Sequence, residues 1–339
     1  MDSITHLALG ACMGEAFAGK KLGKKAMLWG AIAQSIPDID FVAAFWLDTT
    51  SNFLTHRGFT HSLLFCALVT PIMAWLAEKW HRPHNISFKK WLIFFGSVVF
   101  IHIFLDAFNN YGVGWFEPFS HFRMSFNAIY VADPFFSIWS LVACMALIIL
   151  RRQNAQRKTW WKMGLGMSVI YLSYTLVNKL NTNLEVREIL EKQHISHNRF
   201  FTTPAPLQNW LWYVVAGNDT GYYVGYRSRF DSKKEMSFEY FPRRDSLLKG
   251  MAERPDVKNL RRFSQDFYTV EHWNDTLIFN DLRFGQVIGW ENPRGKFAFY
   301  YFLDYPDENI LAVQRGRFSG WNRQTAKSFI ERVKGNELR

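Results

Sequence analysis

Histidine and aspartate residues recur inside the apolar stretches of this 339-residue sequence. Ionisable side chains are costly in apolar surroundings and usually serve a function there. They occur at His6 and in three motifs: PDID at 37–40, HRGFTHS at 56–62 and HIFLDAF at 102–108. Imidazole and carboxylate groups together are the ligands that suit zinc and other divalent transition metals. The pattern therefore predicts a metal site.

The local spacing favours convergence of these side chains. His102 and Asp106 lie four residues apart, so they share one face of a helix. Asp38 and Asp40 would diverge on a regular helix, but Pro37 before them permits a local break. The predicted metal ligands are His6, Asp38, His56, His61, His102 and Asp106. Because one tetrahedral ion uses fewer ligands than this, the set fits one or two ions.

Other polar residues would complete a catalytic site. We expect Asp40 and Asp133 to orient ligands or act as general bases, and Arg57 to hold an anionic substrate. His121 and Arg123 lie in a loop that could reach the same place. A lone histidine in a helix is more often a packing residue. The hypothesis therefore depends on the whole set, because buried ionisable groups need one another as partners.

Long apolar runs must position these residues. Six of them approach the length needed to cross a bilayer: 4–18, 26–46, 62–78, 91–108, 135–150 and 160–178. The basic loops 20–25, 78–90 and 151–158 are expected to face the cytoplasm, which would place the predicted ligands near the outer surface. We predict a multi-pass α-helical membrane domain of about six segments over residues 1–178.

The pattern of residue types changes in the second half of the chain. Residues 211–230 and 276–290 alternate aromatic or β-branched residues with small and polar ones, and turn signals such as GNDTG and NPRGK separate such runs. This pattern is typical of antiparallel strands. We predict a small β-rich extramembrane domain over residues 179–339. The three cysteines lie far apart and indicate neither a disulfide framework nor a cysteine metal site.

Taken together, the motifs resemble those of the YdjM-like family of inner-membrane proteins, which are described as metal-dependent hydrolases. The likeness rests on His6, PDID, HRGFTHS, HIFLDAFNNYG, PFSHFR and VADPFF, and continues through FFTTPAPLQNWLW and VGYRSRF. It implies a bacterial inner (plasma) membrane location and a divalent metal, with zinc as the first expectation. Members of the family often carry an acid where this chain has His121, so the ligand role of that residue stays open.

The predicted function is membrane-bound, metal-dependent hydrolysis of a phosphoester or lipid-linked anionic substrate through a metal-activated water. The alternative is a non-catalytic membrane protein, an ion path or a scaffold, with a structural metal or a bare His/Asp cluster. The expected partners are the lipid bilayer and an anionic small-molecule or lipid substrate. The net charge of +11 does not require nucleic acid, because membrane proteins carry excess Lys and Arg in cytoplasmic loops.

Overall fold

The computed structural model describes residues 1–81, 85–309, 318 and 320–336, so part of the basic loop 78–90 lies outside the described residues. The chain forms two compact units. The first comprises Met1–Trp46 and Thr55–Thr175, and the second comprises Leu47–Leu54 and Leu176–Arg339. The boundary predicted near residue 178 falls inside one long helix, Gln156–Lys192.

The helices before the β-rich part are, in chain order, α1 (Ser3–Leu22), α2 (Lys24–Ser35), α3 (Thr49–Thr55), α4 (Leu63–Trp80), α5 (Phe88–Asp106), α6 (Pro134–Ile149) and α7 (Gln156–Lys192). Two 3₁₀ helices interrupt this series, Pro37–Phe45 and Phe59–His61. The first begins at a proline, which is favoured at the first position of a helix. The second is followed by Ser62, whose hydroxyl accepts from the N–H of Phe65 and caps α4.

The prediction of about six membrane segments is wrong. Among the described residues, two helices are long and apolar enough to cross a bilayer, α4 and α5. The run 26–46 breaks at Pro37 into α2 and a 3₁₀ helix, and α6 has 16 residues. α1 carries Glu15 and two lysines, while tryptophan, tyrosine and glycine lower the hydropathy of α7. The predicted orientation, with the basic loops in the cytoplasm and the ligands near the outer surface, assumed six crossings and therefore has no support from the structure.

Glycine residues allow α1 and α2 to form a closely packed hairpin. Gly23, at φ 60°, separates the two helices in a conformation that favours glycine. A Cβ atom at Gly10 would overlap the carbonyl of Gly30, and one at Gly14 would overlap the carbonyl of Ala26. Such small residues let helix backbones approach directly. The seam between these helices, defined by Gly10, Gly14 and Gly30, therefore fixes their spacing with little room for adjustment.

A buried ion pair ties α1 to the start of α7. Nε and Nη2 of Arg157 donate to the two carboxylate oxygens of Glu15 at 2.8 and 2.5 Å. Nη1 donates to the carbonyls of Leu147 and Leu150, at the end of α6. The guanidinium thereby satisfies both the carboxylate and helix-end carbonyls that would otherwise lack donors.

The second unit contains two antiparallel sheets. The first has the order β1 (Arg199–Pro204), β2 (Leu211–Gly217), β3 (Gly221–Ser228) and β4 (Phe238–Pro242), and the second has the order β5 (Tyr268–Trp273), β6 (Thr276–Gln286) and β7 (Phe297–Phe302). Helices α8 (Pro255–Phe263) and α9 (Arg323–Val333) accompany them. A β-rich C-terminal part therefore exists, with strands in both of the segments whose alternation indicated them.

Apolar residues of both sheets form the core of the second unit. Tyr213 and Val224 of the first sheet pack in one cluster with Leu282 and Phe297 of the second. The ring of Phe53 in α3 stacks on Phe263 and meets Phe299 edge to face, with centroids 5.3 Å apart in both pairs. These contacts explain why residues 47–54 belong to this unit although they lie between two motifs of the first.

We predict that Gly30→Ala destabilises the protein by about 1–3 kcal/mol, because the added methyl group has no space in the seam between α1 and α2. The matched control is Gly166→Ala in α7, where a Cβ atom would meet nothing within 4 Å and alanine favours the helix. Thermal unfolding in a neutral detergent measures both variants. Equal melting temperatures for Gly30→Ala and the wild type would show that the seam is not tight.

Candidate metal site

Four side chains from three segments converge in the first unit. They are Asp38 of the first 3₁₀ helix, His61 of the second, and His102 and Asp106 in the last turns of α5. One oxygen or nitrogen atom from each lies within 4.8 Å of all the others. His61, His102 and Asp106 are fully buried, whereas the side chain of Asp38 is 23% exposed. The cluster is therefore enclosed on all sides except near Asp38.

The spacing of the four donor atoms suits a small divalent ion. Five of their six pairs lie 3.2–3.7 Å apart, beginning with the two Nε2 atoms of His61 and His102 at 3.2 Å. Zinc binds nitrogen and oxygen at about 2.0–2.2 Å, so the corners of its tetrahedron are separated by about 3.3–3.6 Å. The observed separations match this range. A His/Asp group able to hold a metal ion is therefore present.

The hydrogen bonds of the two imidazoles also favour a bound metal ion. Nδ1 of His102 lies 2.5 Å from the backbone carbonyl of Gln34, which can only accept, so Nδ1 carries the proton. Nε2 of the neutral ring then presents a lone pair to the cluster. Nδ1 of His61 lies 3.4 Å from a carboxylate oxygen of Asp40, which gives this ring the same orientation. Two facing lone pairs beside two carboxylates repel one another unless a cation lies among them.

Asp40 connects the first 3₁₀ helix to the HRGFTHS motif. Its Oδ2 atom accepts from the backbone N–H of Arg57 at 2.7 Å and from the hydroxyl of Thr60 at 3.2 Å, and Oδ1 lies 3.2 Å from Nδ1 of His56. Burial raises the pKa of Asp40, but hydrogen bonds from His56 and His61 outweigh it, and the pKa lies well below its usual range. Asp40 is thus an ionised carboxylate that orients His61.

Asp106 is held from its other side by His6. Nε2 of His6 lies 3.2 Å from Oδ1 of Asp106, and its ring stacks on His102 with centroids 3.9 Å apart. The side-chain nitrogen of Gln34 lies 3.2 Å from Nδ1 of His6. The amino group of Met1 also contacts Oδ1 of Asp106. Oδ1 is thereby occupied, and Oδ2 is the oxygen that faces the cluster.

Arg57 contacts Asp106 of the cluster and is 3% exposed. Its Nε atom lies 3.0 Å from Oδ2 of Asp106, Nη1 donates to Asn109 at 2.7 Å, and the guanidinium lies over the ring of Tyr111. Its backbone has φ 58°, a strained conformation for a residue other than glycine. These contacts direct the side chain toward Asp106, whereas the sequence predicted that it holds an anionic substrate.

Other predicted residues lie elsewhere. His56 contacts Asp40, and its side chain is 40% exposed. Asp133 caps α6 and accepts from the hydroxyl of Tyr171 at 2.9 Å. Burial raises its pKa to about 6, against the hydrogen bonds from Tyr171 and the helix N–H groups. His121 pairs with Glu117 at 2.9 Å and is largely exposed.

Sequence reasoning missed Gln34, Asn109 and Tyr111. Gln34 is fully buried near the end of α2, and its backbone carbonyl orients His102. Gln34 is a polar residue within an apolar run, three residues before PDID, and this could have identified its side chain as part of the site. No signal in the sequence marks a backbone carbonyl. Asn109 was visible as a polar residue just after HIFLDAF, where it receives Arg57.

The segment that carries all of these residues matches a family model described as "YdjM inner membrane protein" over residues 1–182. The chain belongs to the YdjM inner membrane protein family. The resemblance inferred from the motifs is thereby confirmed, and family membership supports a membrane location.

Two relatives extend this YdjM family comparison. The inner membrane protein YbcI of Escherichia coli (strain K12) is 30% identical over 141 residues, covering 41% of this chain and 73% of the relative. The uncharacterized protein YfhP of Bacillus subtilis (strain 168) is 26% identical over 242 residues, covering 66% of this chain and 68% of the relative. No solved structure matches the chain.

We predict that His102→Ala and Asp106→Asn each abolish stoichiometric binding of a divalent metal, because the first removes a donor atom from the cluster and the second replaces an anionic carboxylate with a neutral amide. His56→Ala should instead weaken binding by about 10–100-fold, because His56 acts through Asp40. Elemental analysis after dialysis against a graded chelator measures the difference. His121→Ala is the control and should retain the metal. If His56→Ala lost metal as completely as His102→Ala, His56 would be a ligand.

Asp133→Asn should retain the metal and change the pH dependence of stability. A carboxyl group whose folded pKa is about 6, above its unfolded value, loses stabilising protonation as the pH rises from about 4 to 6. Asparagine also caps helices and has no such titration. Relative to the wild type, Asp133→Asn should therefore gain roughly 2–3 kcal/mol of unfolding free energy between pH 4 and 7. The measurement is the free energy of unfolding of both proteins as a function of pH. The same pH dependence in both would contradict a raised pKa of Asp133.

Proposed function

We propose that this YdjM family protein is a metal-dependent hydrolase whose ion is held by His61, His102 and Asp106. The observation that carries the proposal is the asymmetric exposure of the donor cluster. Three donors are fully buried, and the fourth, Asp38, is partly open to solvent. Catalytic zinc sites use three protein ligands and leave one position open, whereas structural sites are closed.

Each residue around the cluster has a defined part in this proposal. A divalent ion bound there would supply Lewis-acid polarisation of the scissile group and a water of lowered pKa. Asp38 would accept the proton that an attacking water releases, because its carboxylate lies at the exposed side of the cluster. Asp40 and the carbonyl of Gln34 keep both imidazole rings oriented with Nε2 inward.

Arg57 keeps Asp106 in place instead of binding the substrate. Its buried guanidinium contributes positive charge beside Oδ2 of Asp106 and is held by Asn109 and the ring of Tyr111. A charged group in such contacts costs several kcal/mol to withdraw. We therefore propose that recognition of an anionic substrate depends on the ion and not on this arginine.

The surroundings of Asp38 favour a substrate carried by the bilayer. Phe45 and Trp46, at the end of the same 3₁₀ helix, are 79% and 69% exposed, and Phe41 on that helix is also exposed. Aromatic side chains of this kind are stable at the interface between lipid and water. We propose that the substrate is a lipid-linked ester, with phosphoesters as the first class to test.

The second candidate function is a non-catalytic membrane protein with a structural metal. The observation in its favour is the number of protein donors, since four of them would complete a tetrahedral shell and leave no position for a water. The two candidates differ in the role of Asp38, which is a proton acceptor in the first and a ligand in the second.

Asp38→Asn distinguishes the candidates. If the proposal holds, this variant retains the metal and loses at least about 100-fold in hydrolysis, in the range of a lost general base. The test compares metal content with hydrolysis of p-nitrophenyl phosphomonoesters and phosphodiesters, and of phosphatidic acid and phosphatidylglycerol in mixed micelles. His102→Ala is the inactive reference, and His121→Ala is the control. Loss of metal in Asp38→Asn, without hydrolysis by the wild type, would favour the structural role.

A further inference from the structure

The second unit contains a polar cleft of about 350 Å³ that the metal site does not explain. It is lined by Asn198, Arg199, Asn218, Asp219, Arg243, Arg261 and Asp266. Three of these are arginines from separate segments: the start of β1, the residue after β4, and α8. Arginine is the side chain best suited to bind planar or tetrahedral oxyanions through several N–H groups.

Aromatic rings hold the three guanidinium groups in place. Arg199 lies 4.2 Å from the ring centroid of Phe267, and Arg243 and Arg261 lie 4.6 and 5.7 Å from that of Tyr268. Nη2 of Arg243 also donates to the hydroxyl of Tyr268 at 3.0 Å. Stacking of this kind restricts the arginines before any ligand arrives, which reduces the entropy lost on binding.

The carboxylate of Asp266 lies between two of these arginines without closing a hydrogen bond to either. Its Oδ1 atom is 3.8 Å from Nη2 of Arg243 and 3.6 Å from Nε of Arg261. The Asp266 side chain is 51% exposed, so it can turn into solvent. Its backbone, at φ 60°, is held independently, because its carbonyl accepts from Arg199 at 2.6 Å and from the hydroxyl of Tyr222.

We propose that this cleft binds the phosphate group of a phosphorylated ligand. A phosphate would take the place of the Asp266 carboxylate and accept hydrogen bonds from Arg243 and Arg261, with the positive charge of Arg199 nearby. The three arginines disfavour a metal cation there, although Asp219 and Asp266 lie on the same lining. A volume of about 350 Å³ exceeds a bare phosphate, so the cleft has room for a further polar group of the ligand. This site is independent of the proposed hydrolase.

Two substitutions of opposite charge test the proposal in the full-length protein, kept in a neutral detergent and treated with EDTA to remove bound metal. Arg261→Gln should weaken binding of inorganic phosphate about tenfold or more, because it removes a charge-assisted hydrogen bond. Asp266→Asn should strengthen binding several-fold, because it removes the competing carboxylate, and asparagine tolerates the positive φ. Isothermal titration calorimetry measures both.

The matched controls lie in an exposed ion pair outside the cleft lining. Nε of Arg294 donates to Glu239 at 2.5 Å, so Arg294→Gln and Glu239→Gln repeat the same two changes in net charge. Neither should alter phosphate binding. Equal effects of the cleft and control variants would show that phosphate responds only to the net charge of the protein, and this would overturn the proposal. Absence of saturable phosphate binding to the wild type would overturn it as well.

A second set of titrations identifies the source of the phosphate. One uses glycerol 3-phosphate in solution, and the other uses nanodiscs of phosphatidylcholine with and without phosphatidylglycerol. Sensitivity to Arg261→Gln in the first titration assigns the cleft to a soluble ligand, and sensitivity in the second assigns it to a lipid headgroup. Measurement in His61→Ala separates this site from the metal site, since phosphate binding should persist when metal binding is lost.

Discussion

The structure of the candidate metal site depends on which nitrogen of each imidazole carries the proton. His102 gives its Nδ1 proton to a backbone carbonyl of α2, and His61 directs Nδ1 toward Asp40. Both rings therefore turn Nε2 toward the same point, and the two Nε2 atoms lie 3.2 Å apart. The carboxylates of Asp38 and Asp106 lie beside them. Without a cation this arrangement concentrates electron pairs in a buried region, which is electrostatically costly. The surrounding helices hold these side chains in that arrangement.

Asp40 shows how a short motif can organise a site without contributing a donor atom to it. Each of its carboxylate oxygens is occupied by groups of the HRGFTHS segment, including the backbone N–H of Arg57. That bond stabilises the left-handed backbone conformation at Arg57, from which the guanidinium reaches Asp106. The two aspartates of PDID therefore have separate tasks, because Asp38 lies in the cluster and Asp40 contacts the other side of the His61 ring.

Residue types and their spacing predicted part of this from the sequence. Ionisable residues in apolar runs indicated a His/Asp group able to hold a metal, and alternating aromatic residues indicated strands in the second half. The number of membrane segments was predicted wrongly, because the run 26–46 was counted as one crossing although Pro37 marked a break in it, and because the length of an apolar run does not give the length of the helix that forms. The environment of Arg57 was also hidden, since an arginine that binds a substrate and one that is a buried partner of Asp106 have the same local sequence. The carbonyl that orients His102 belongs to the backbone and has no residue type to reveal it.

The glycine seam between α1 and α2 has a consequence for ion selectivity. α1 carries His6, which holds Asp106, and α2 carries the carbonyl of Gln34, which holds His102. Because Gly10 and Gly30 bring the two backbones into direct contact, this framework has little freedom to expand. Calcium needs six to eight oxygen ligands at about 2.3–2.6 Å, which a rigid cage of two imidazoles and two carboxylates cannot provide. For an ion held by this group, close helix packing would disfavour large, hard cations, and the imidazoles would favour the smaller transition metals.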